Sequence, residues 1–150
     1  MLKRNVSEPS NSSWASPVNL VEKKDNTIRF CIDYRKLNQI STKDSYPIPR
    51  LDQCLDALAG NVWFSTMDLQ SGFWQVPLEK SSKEKTAFRT KMGLFHFNVR
   101  PFGLTNSPAT FERLMKQTLM DLQWEECLLF IDDLTYWSKR KRRKKQRLTM

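Results

Sequence analysis

The stretch LFIDDL (residues 129–134) places two adjacent aspartates, Asp132 and Asp133, directly after a run of apolar residues. Adjacent carboxylates repel each other, and burying an unpaired carboxylate costs free energy. Two interpretations stay open: a hairpin turn, in which Asp is a common residue, or a metal site, where a divalent cation offsets the repulsion. In both cases the segment predicts a strand at 127–131, a sharp turn, and a second strand at 134–137, and no other stretch constrains the fold as strongly.

Apolar periodicity predicts both strands and helices along the rest of the chain. The predicted strands are 18–24, 27–34, 62–69, 85–90 and 94–99, the predicted helices are 51–59 and 106–122, and 5–17 and 35–49 are predicted as loops. Ser107 before Pro108 is a predicted N-cap, and Phe111, Leu114 and Leu119 fall on one helical face. The order of elements indicates an α+β fold with helices over an antiparallel sheet, ending in a split βαβ arrangement.

Length and composition narrow the class of protein. The 150 residues correspond to about one domain. No long uncharged apolar run is present, which predicts no membrane-spanning helix and no secretory signal. The three cysteines, Cys31, Cys54 and Cys127, lie far apart without CxxC spacing, which predicts reduced, buried thiols in an intracellular protein.

The net charge of +9 comes almost entirely from one segment. Residues 139–147, KRKRRKKQR, hold eight of the 25 basic side chains. Without them, 17 basic side chains oppose 16 acidic ones, so residues 1–138 carry only +1. We interpret 139–150 as a separate basic tail that binds nucleic acid, or else as a solvated, disordered end with no role.

Asp68 is a third candidate carboxylate. It stands at the end of the predicted strand 62–69, and the aspartate pair follows 64 residues later. If the two strands are neighbours, all three carboxylates meet at one sheet edge and could hold two divalent ions, of which Mg²⁺ is the natural choice. The alternative is that Asp68 caps a helix opened by MDLQSGF.

Eight blocks of the sequence, in order, resemble the reverse transcriptase domain of gypsy-type LTR retrotransposons, which are relatives of retroviral polymerases. The resemblance extends from about Pro9 to about Ser138, and the blocks are EPSNSSWASPVNLVEKKD, IRFCIDYRKLN, DSYPIPRLD, FSTMDLQSGFWQV, KTAFRT, GLFHF, RPFGLTNSPATFERLM and FIDD. The resemblance implies an RNA-directed DNA polymerase, a nucleotidyltransferase that adds deoxynucleotides to a primer 3′-OH. The fold that it implies for residues 1–138 is a fingers-plus-palm fragment, truncated at both ends.

The resemblance also implies roles for individual residues. It assigns Asp68, Asp132 and Asp133 as catalytic ligands of two Mg²⁺ ions, with Mn²⁺ as a substitute. It assigns the nucleotide-binding residues as Lys23, Lys24, Arg29, Phe73, Phe102 and Gly103, and the template and primer contacts as Arg35, Phe130 and Pro108. A bulky Phe73 would exclude a 2′-hydroxyl, whereas without the family context it is more simply a core aromatic. For Lys23 and Lys24, the alternative is that they simply lie in solvent at the end of a hairpin.

Several features depart from the family pattern. Phe130 stands where a tyrosine is usual, and Arg100 and Asn19 replace apolar residues. After Ser138 the family continues into further palm strands, a thumb and RNase H, whereas this sequence changes to the basic tail. The implied partners are an RNA or DNA template with its primer and deoxynucleoside triphosphates, and the parent polyprotein would carry RNase H, protease and integrase. The alternative function is a catalytically inactive remnant that binds nucleic acid through its tail.

Overall fold

Residues 1–138 are described by the computed structural model, and the predicted tail at 139–150 lies outside this range. The chain forms two compact units. The first comprises Met1–Ser45 and Ser71–Phe111, and the second comprises Tyr46–Gln70 and the chain from Glu112 onward.

The described elements alternate short strands with short helices. The strands are β1 (Ser7–Pro9), β2 (Val18–Glu22), β3 (Ile28–Ile32), β4 (Trp63–Asp68), β5 (Phe88–Thr90), β6 (Gly93–Phe97), β7 (Cys127–Phe130) and β8 (Asp133–Ser138). The α-helices are α1 (Arg35–Ile40), α2 (Leu51–Leu58), α3 (Lys80–Lys83) and α4 (Ser107–Leu119), and short 3-10 turns lie at Leu2–Arg4, Gly72–Gln75, Glu84–Thr86 and Met120–Leu122. None of the described helices is long and apolar enough to cross a membrane.

The first unit contains two antiparallel sheets. One has the strand order β1-β6-β5, and the other is the β2-β3 hairpin. Four buried side chains, Val6, Leu78, Phe88 and Phe97, form one core cluster of this unit, and Ile32 packs against them from β3. Apolar burial of this kind is the main favourable contribution to folding.

The second unit contains a three-stranded sheet with the order β4-β8-β7. Both pairings are antiparallel, so β4 and β7 run in the same direction with β8 between them. This is the split βαβ arrangement that the sequence predicted, since the chain between β4 and β7 includes α4. Leu129 is fully buried in β7, and Cys54 of α2 packs with Leu128 and Trp137 in the core.

The sequence predictions hold for most elements. The five strands predicted at 18–24, 27–34, 62–69, 85–90 and 94–99 form, each shorter than predicted, and so do both helices. All three cysteines are free, with Cys54 and Cys127 buried and Cys31 half-buried. Burial raises the thiol pKa of Cys54 and Cys127, which disfavours the reactive thiolate.

Two predicted loops are wrong in part. Residues 35–40 form α1 because Asp33 accepts a hydrogen bond from the backbone N–H of Arg35 at 3.1 Å, which satisfies a donor at the start of the helix. Within 5–17, Ser7–Pro9 forms β1 because its backbone pairs with Phe95–Phe97 of β6. Both features depend on contacts that apolar periodicity does not report.

Helix α4 also differs from its predicted details. The helix includes Ser107 as its first residue rather than as the predicted N-cap, and the Ser107 hydroxyl donates to the carbonyl of Pro101 at 3.1 Å. The side chain of Asn106, one residue earlier, accepts from the N–H of Asp44 and donates to the carbonyl of Thr42. On the predicted apolar face Leu114 is exposed.

We expect Gly72→Ala to lower the free energy of unfolding by about 1–3 kcal/mol. A Cβ at Gly72 would lie 2.8 Å from Cζ of Phe111, a ring that is itself 1 % exposed and so has little room to move. Urea denaturation measures the change. Because the loss arises from this contact, it should shrink when Phe111 is replaced by the smaller Leu.

Gly60→Ala serves as the control. Gly60 has a positive φ of 74°, and no atom lies within 4 Å of the place that an added Cβ would take, so its cost should be independent of Phe111. An equal loss for Gly72→Ala in the wild-type and Phe111→Leu backgrounds would contradict the steric explanation.

Candidate functional site

The aspartate pair lies at a two-residue hairpin. Strand β7 ends at Phe130, β8 begins at Asp133, and these two residues pair with each other. Ile131 and Asp132 therefore form the turn, and only Asp132 of the pair occupies the tip. Ile131 has a φ of 59°, which is an outlier for a β-branched residue. Such strain, of order 1–3 kcal/mol, is concentrated at functional sites.

Asp68 lies directly across the sheet from this hairpin. It is the last residue of β4 and pairs with Asp133 of β8, so their side chains lie on the same face of the sheet. The backbone N–H of Leu69 donates to the carbonyl of Asp132 at 3.1 Å, which continues the pairing to the tip. The N-cap interpretation of Asp68 is wrong, because the next helical turn begins only at Gly72, with Ser71 at its N-cap position.

Asp132 lies in an environment that disfavours its charged form. Burial raises its pKa, and the charges of Asp68 and Asp133 raise it further. Its Oδ1 atom is buried and has no hydrogen-bond partner within the described part of the chain. A carboxylate in this position is stabilised by a nearby cation.

The three aspartates do not form a ready-made metal site. Across residues 1–138, no group of three or more His, Cys, Asp or Glu side chains is gathered as metal ligands would be. The donor chemistry nevertheless fits Mg²⁺, which prefers carboxylate oxygens, and the unpartnered Oδ1 of Asp132 is such a donor. Asp68 and Asp133 contribute two further carboxylates from the same ladder.

Phe130 packs as a core residue. It is half-buried and lies against the cluster formed by Cys54, Leu128 and Trp137. Its ring therefore supports the hairpin, and the hydroxyl that a tyrosine would add is absent. Whether it also contacts a primer stays a prediction.

The predicted triphosphate contacts lie in the first unit on the β2-β3 hairpin. Lys23 and Lys24 follow β2 in the turn, where the N–H of Lys23 donates to the carbonyl of Thr27 at 2.8 Å. Arg29 lies in β3 opposite Val21. All three basic side chains are exposed, so their charges are accessible to a phosphate group.

Phe73 and Phe102 form an aromatic contact in the first unit. Their ring centroids are 5.0 Å apart, and Phe73 also meets Phe111 edge-to-face at 5.4 Å. Phe73 is only 5 % exposed, whereas Phe102 is 38 % exposed. Phe73 is thus a core aromatic whose neighbour Phe102 reaches the surface.

Gly103 follows Phe102 with a φ of 92°, and an added Cβ would lie 3.5 Å from the ring of Tyr34. The positive φ favours glycine here. Pro108 is the second residue of α4 and is half-buried.

Arg35 already has an acidic partner. Its Nε donates to Oδ1 of Asp33 at 2.9 Å, and a terminal nitrogen donates to Oδ2 at 2.7 Å. This fork lowers the pKa of Asp33 to about 2. The Arg35 side chain is 85 % exposed, whereas that of Asp33 is 17 % exposed, and an ion pair with one partner in solvent contributes little stability.

Sequence reasoning missed the residues that hold the segment after Pro101. Asn38 of α1 donates to the carbonyl of Gly103 at 2.8 Å and accepts from the N–H of Thr105 at 2.9 Å. Tyr34 is buried and donates to the carbonyl of Thr86 at 2.8 Å, and burial raises its pKa strongly. The only sequence signal for these contacts was the glycine itself, since the partners lie more than 50 residues away.

Comparisons with known proteins identify the family of the chain. A family model described as "Reverse transcriptase (RNA-dependent DNA polymerase)" matches residues 21–150. The chain is 43% identical over 143 residues to the retrovirus-related Pol polyprotein from transposon 297 of Drosophila melanogaster, covering 92% of this chain and 14% of that one. It is 44% identical over 112 residues to the RNA-directed DNA polymerase homolog of Oenothera berteroana, covering 75% and 79%.

A solved structure shares the fold. The foamy viral protease-reverse transcriptase in complex with RNA/DNA hybrid superposes with a TM-score of 0.80 at 27% identity, covering 93% of this chain and 19% of that one. The α+β prediction and the resemblance to gypsy-type elements are thereby confirmed. The chain belongs to the reverse transcriptase (RNA-dependent DNA polymerase) family of nucleotidyltransferases.

Proposed function

We propose that the protein adds deoxynucleotides to a primer 3′-OH under the direction of an RNA or DNA template. The observation that carries the proposal is the hairpin carboxylate of Asp132, whose buried Oδ1 is unpartnered in residues 1–138 and whose neighbours Asp68 and Asp133 are both acidic. Phosphoryl transfer relies on positioning and charge stabilisation rather than on a covalent enzyme intermediate. Carboxylates held by strand pairing suit this requirement.

Asp68, Asp132 and Asp133 are the residues that would hold two Mg²⁺ ions, or Mn²⁺ in their place. When bound, the ions would stabilise the attacking and leaving oxygens of an in-line displacement. The carboxylates themselves repel, so the side chains would rotate toward a shared cation. Asp132 is the more direct ligand because its oxygen lacks any other partner in the described chain.

The first unit supplies the proposed nucleotide contacts. Arg29 would bind phosphate oxygens in a fork, with Lys23 or Lys24 adding a point charge. Phe73 would limit the space for a 2′-hydroxyl, and its burial against Phe111 supports this because a packed ring cannot retreat. Phe102 and Gly103 would flank the same nucleotide.

Template and primer contacts are proposed for Arg35, Pro108 and Phe130. Arg35 is exposed and held by Asp33 in one orientation, which lowers the entropy lost on contacting a phosphate. The foamy viral relative was solved with RNA/DNA hybrid, and we propose the same class of partner for this chain. Residues 1–138 would form the fingers and palm.

The chain spans only 14% of the transposon 297 polyprotein. The activities of a longer parent protein are therefore proposals too. In such a parent, RNase H, protease and integrase would act with the polymerase.

A second candidate function is a catalytically inactive element that binds nucleic acid. The concentration of eight basic residues in 139–147, beside a body of nearly zero net charge, favours it.

Asp132→Asn should reduce primer extension in Mg²⁺ by at least about 100-fold, since a lost metal ligand removes charge stabilisation of several kcal/mol. Asp121→Asn, at an exposed position of the same unit, should leave extension unchanged. Mn²⁺ binding is measured through the relaxation of water protons by the bound ion, and this readout is independent of turnover. Equal extension by wild type and Asp132→Asn would overturn the metal assignment, and no extension by either would favour the second candidate.

Phe73→Val should raise the use of ribonucleotides relative to deoxynucleotides by about 10-fold or more, because a smaller side chain leaves room for the 2′-hydroxyl. The use of ribonucleotides and of deoxynucleotides is compared within the same variant. The expected loss of about 2–4 kcal/mol in stability therefore affects both and does not change their ratio. Trp74→Val, next to Phe73 and also within reach of Phe102, is the matched control. An unchanged ratio in Phe73→Val would leave Phe73 as a core residue only.

Deletion of 139–150 should weaken binding to single-stranded nucleic acid and flatten its salt dependence, because each released counterion contributes to the slope of log K against log salt. Fluorescence anisotropy of a labelled oligonucleotide, followed over a series of rising salt concentrations, measures both quantities. Asp68→Asn should not change this slope. A slope that survives the deletion would assign binding to residues 1–138 instead.

A further inference from the structure

The second unit contains a buried polar pair that the proposed reaction does not use. Glu112 of α4 is 4 % exposed, and Gln123, which follows the last 3-10 turn, is 7 % exposed. The Nε2 of Gln123 donates to Oε1 of Glu112 at 3.1 Å. The other two oxygens, Oε2 of Glu112 and Oε1 of Gln123, are buried and accept no hydrogen bond from any described residue. A buried acceptor without a partner destabilises the folded state.

Both side chains line a cavity of about 140 Å³, together with Tyr46, Lys116 and Trp124. The cavity is larger than a single water molecule needs, since one water molecule takes about 30 Å³ of liquid volume. Burial raises the pKa of Glu112, and the hydrogen bond from Gln123 and the charge of Lys116 oppose that rise. The ammonium group of Lys116 does not bond to Oε2 of Glu112.

The chemistry of the lining favours a planar cation. The two open acceptors are a carboxylate oxygen and an amide oxygen, which suit a group that donates in more than one direction. A guanidinium presents five N–H donors in a rigid fork, loses little hydration, and stacks on aromatic rings. One residue of the lining already carries a stacked guanidinium: that of Arg113 lies 4.5 Å from the centroid of the Tyr46 ring.

We propose that this cavity binds the guanidinium of an arginine side chain from a partner polypeptide, through Oε2 of Glu112 and Oε1 of Gln123. The incoming donors would satisfy both open acceptors, and Trp124, which is 43 % exposed, would cover one face of the group. This site is distinct from the aspartates, so the proposal does not depend on polymerase activity.

The test is an NMR titration of the ¹⁵N-labelled full chain with N-acetyl-argininamide at constant ionic strength. We expect saturable shifts of the Gln123 side-chain amide and the Trp124 indole N–H. N-acetyl-citrullinamide, which has nearly the same shape but no charge, is the matched ligand. It should bind at least about 5-fold more weakly, because a buried charge-assisted hydrogen bond is about twice as strong as a neutral one.

Two variants separate this site from a nonspecific surface effect. Glu112→Gln should weaken binding by about 10-fold or more, since it removes the charge and keeps the volume. Lys116→Ala, at an exposed helix position, should strengthen binding by about 2-fold by removing a competing cation. Equal affinity for the two ligands, or for wild type and Glu112→Gln, would overturn the proposal. If Glu112→Gln does not fold, the ligand pair and Lys116→Ala decide it.

Discussion

The antiparallel pairing of β4 with β8 sets the position of every carboxylate in the candidate site. Asp68 and Asp133 are register partners, and the hairpin that carries Asp132 continues directly from β8. Because side chains alternate between the two faces of a strand, a register shift of one residue would move Asp68 to the opposite face from Asp133. The buried residues of β7 and the α2 contacts of Leu128 therefore matter to the site, because they hold this register.

The sequence predicted the elements whose signal is local. The β2-β3 hairpin, the β7-β8 hairpin and helix α4 all follow from apolar periodicity and turn residues. Helix α1 was missed because it is only six residues long and starts with a hydrogen bond from Arg35 to Asp33. Strand β1 was missed because a three-residue strand has too short an alternation to detect, and its pairing partner β6 lies far along the chain.

The residues of the candidate site also divide into those with a signal in the local sequence and those that depend on distant contacts. The family resemblance grouped Asp68, Asp132 and Asp133, and the strand pairing places Asp68 opposite Asp133. The residues that hold the segment after Pro101 could not be predicted, because Asn38 reaches Gly103 across 65 residues. Nor could Gly72 be identified, since its need for a small side chain comes from the ring of Phe111. Contacts of this kind arise from packing and leave no mark in local sequence.

The two-residue turn at Ile131 and Asp132 has a consequence for how the gene can change. Replacing the residue at 130 by another aromatic keeps the number of residues between β7 and β8, so the carboxylates keep their positions. Gain or loss of one codon between 130 and 133 would change the turn type and the facing of the strand that follows. This hairpin therefore tolerates exchange of side chains far better than any change in its length.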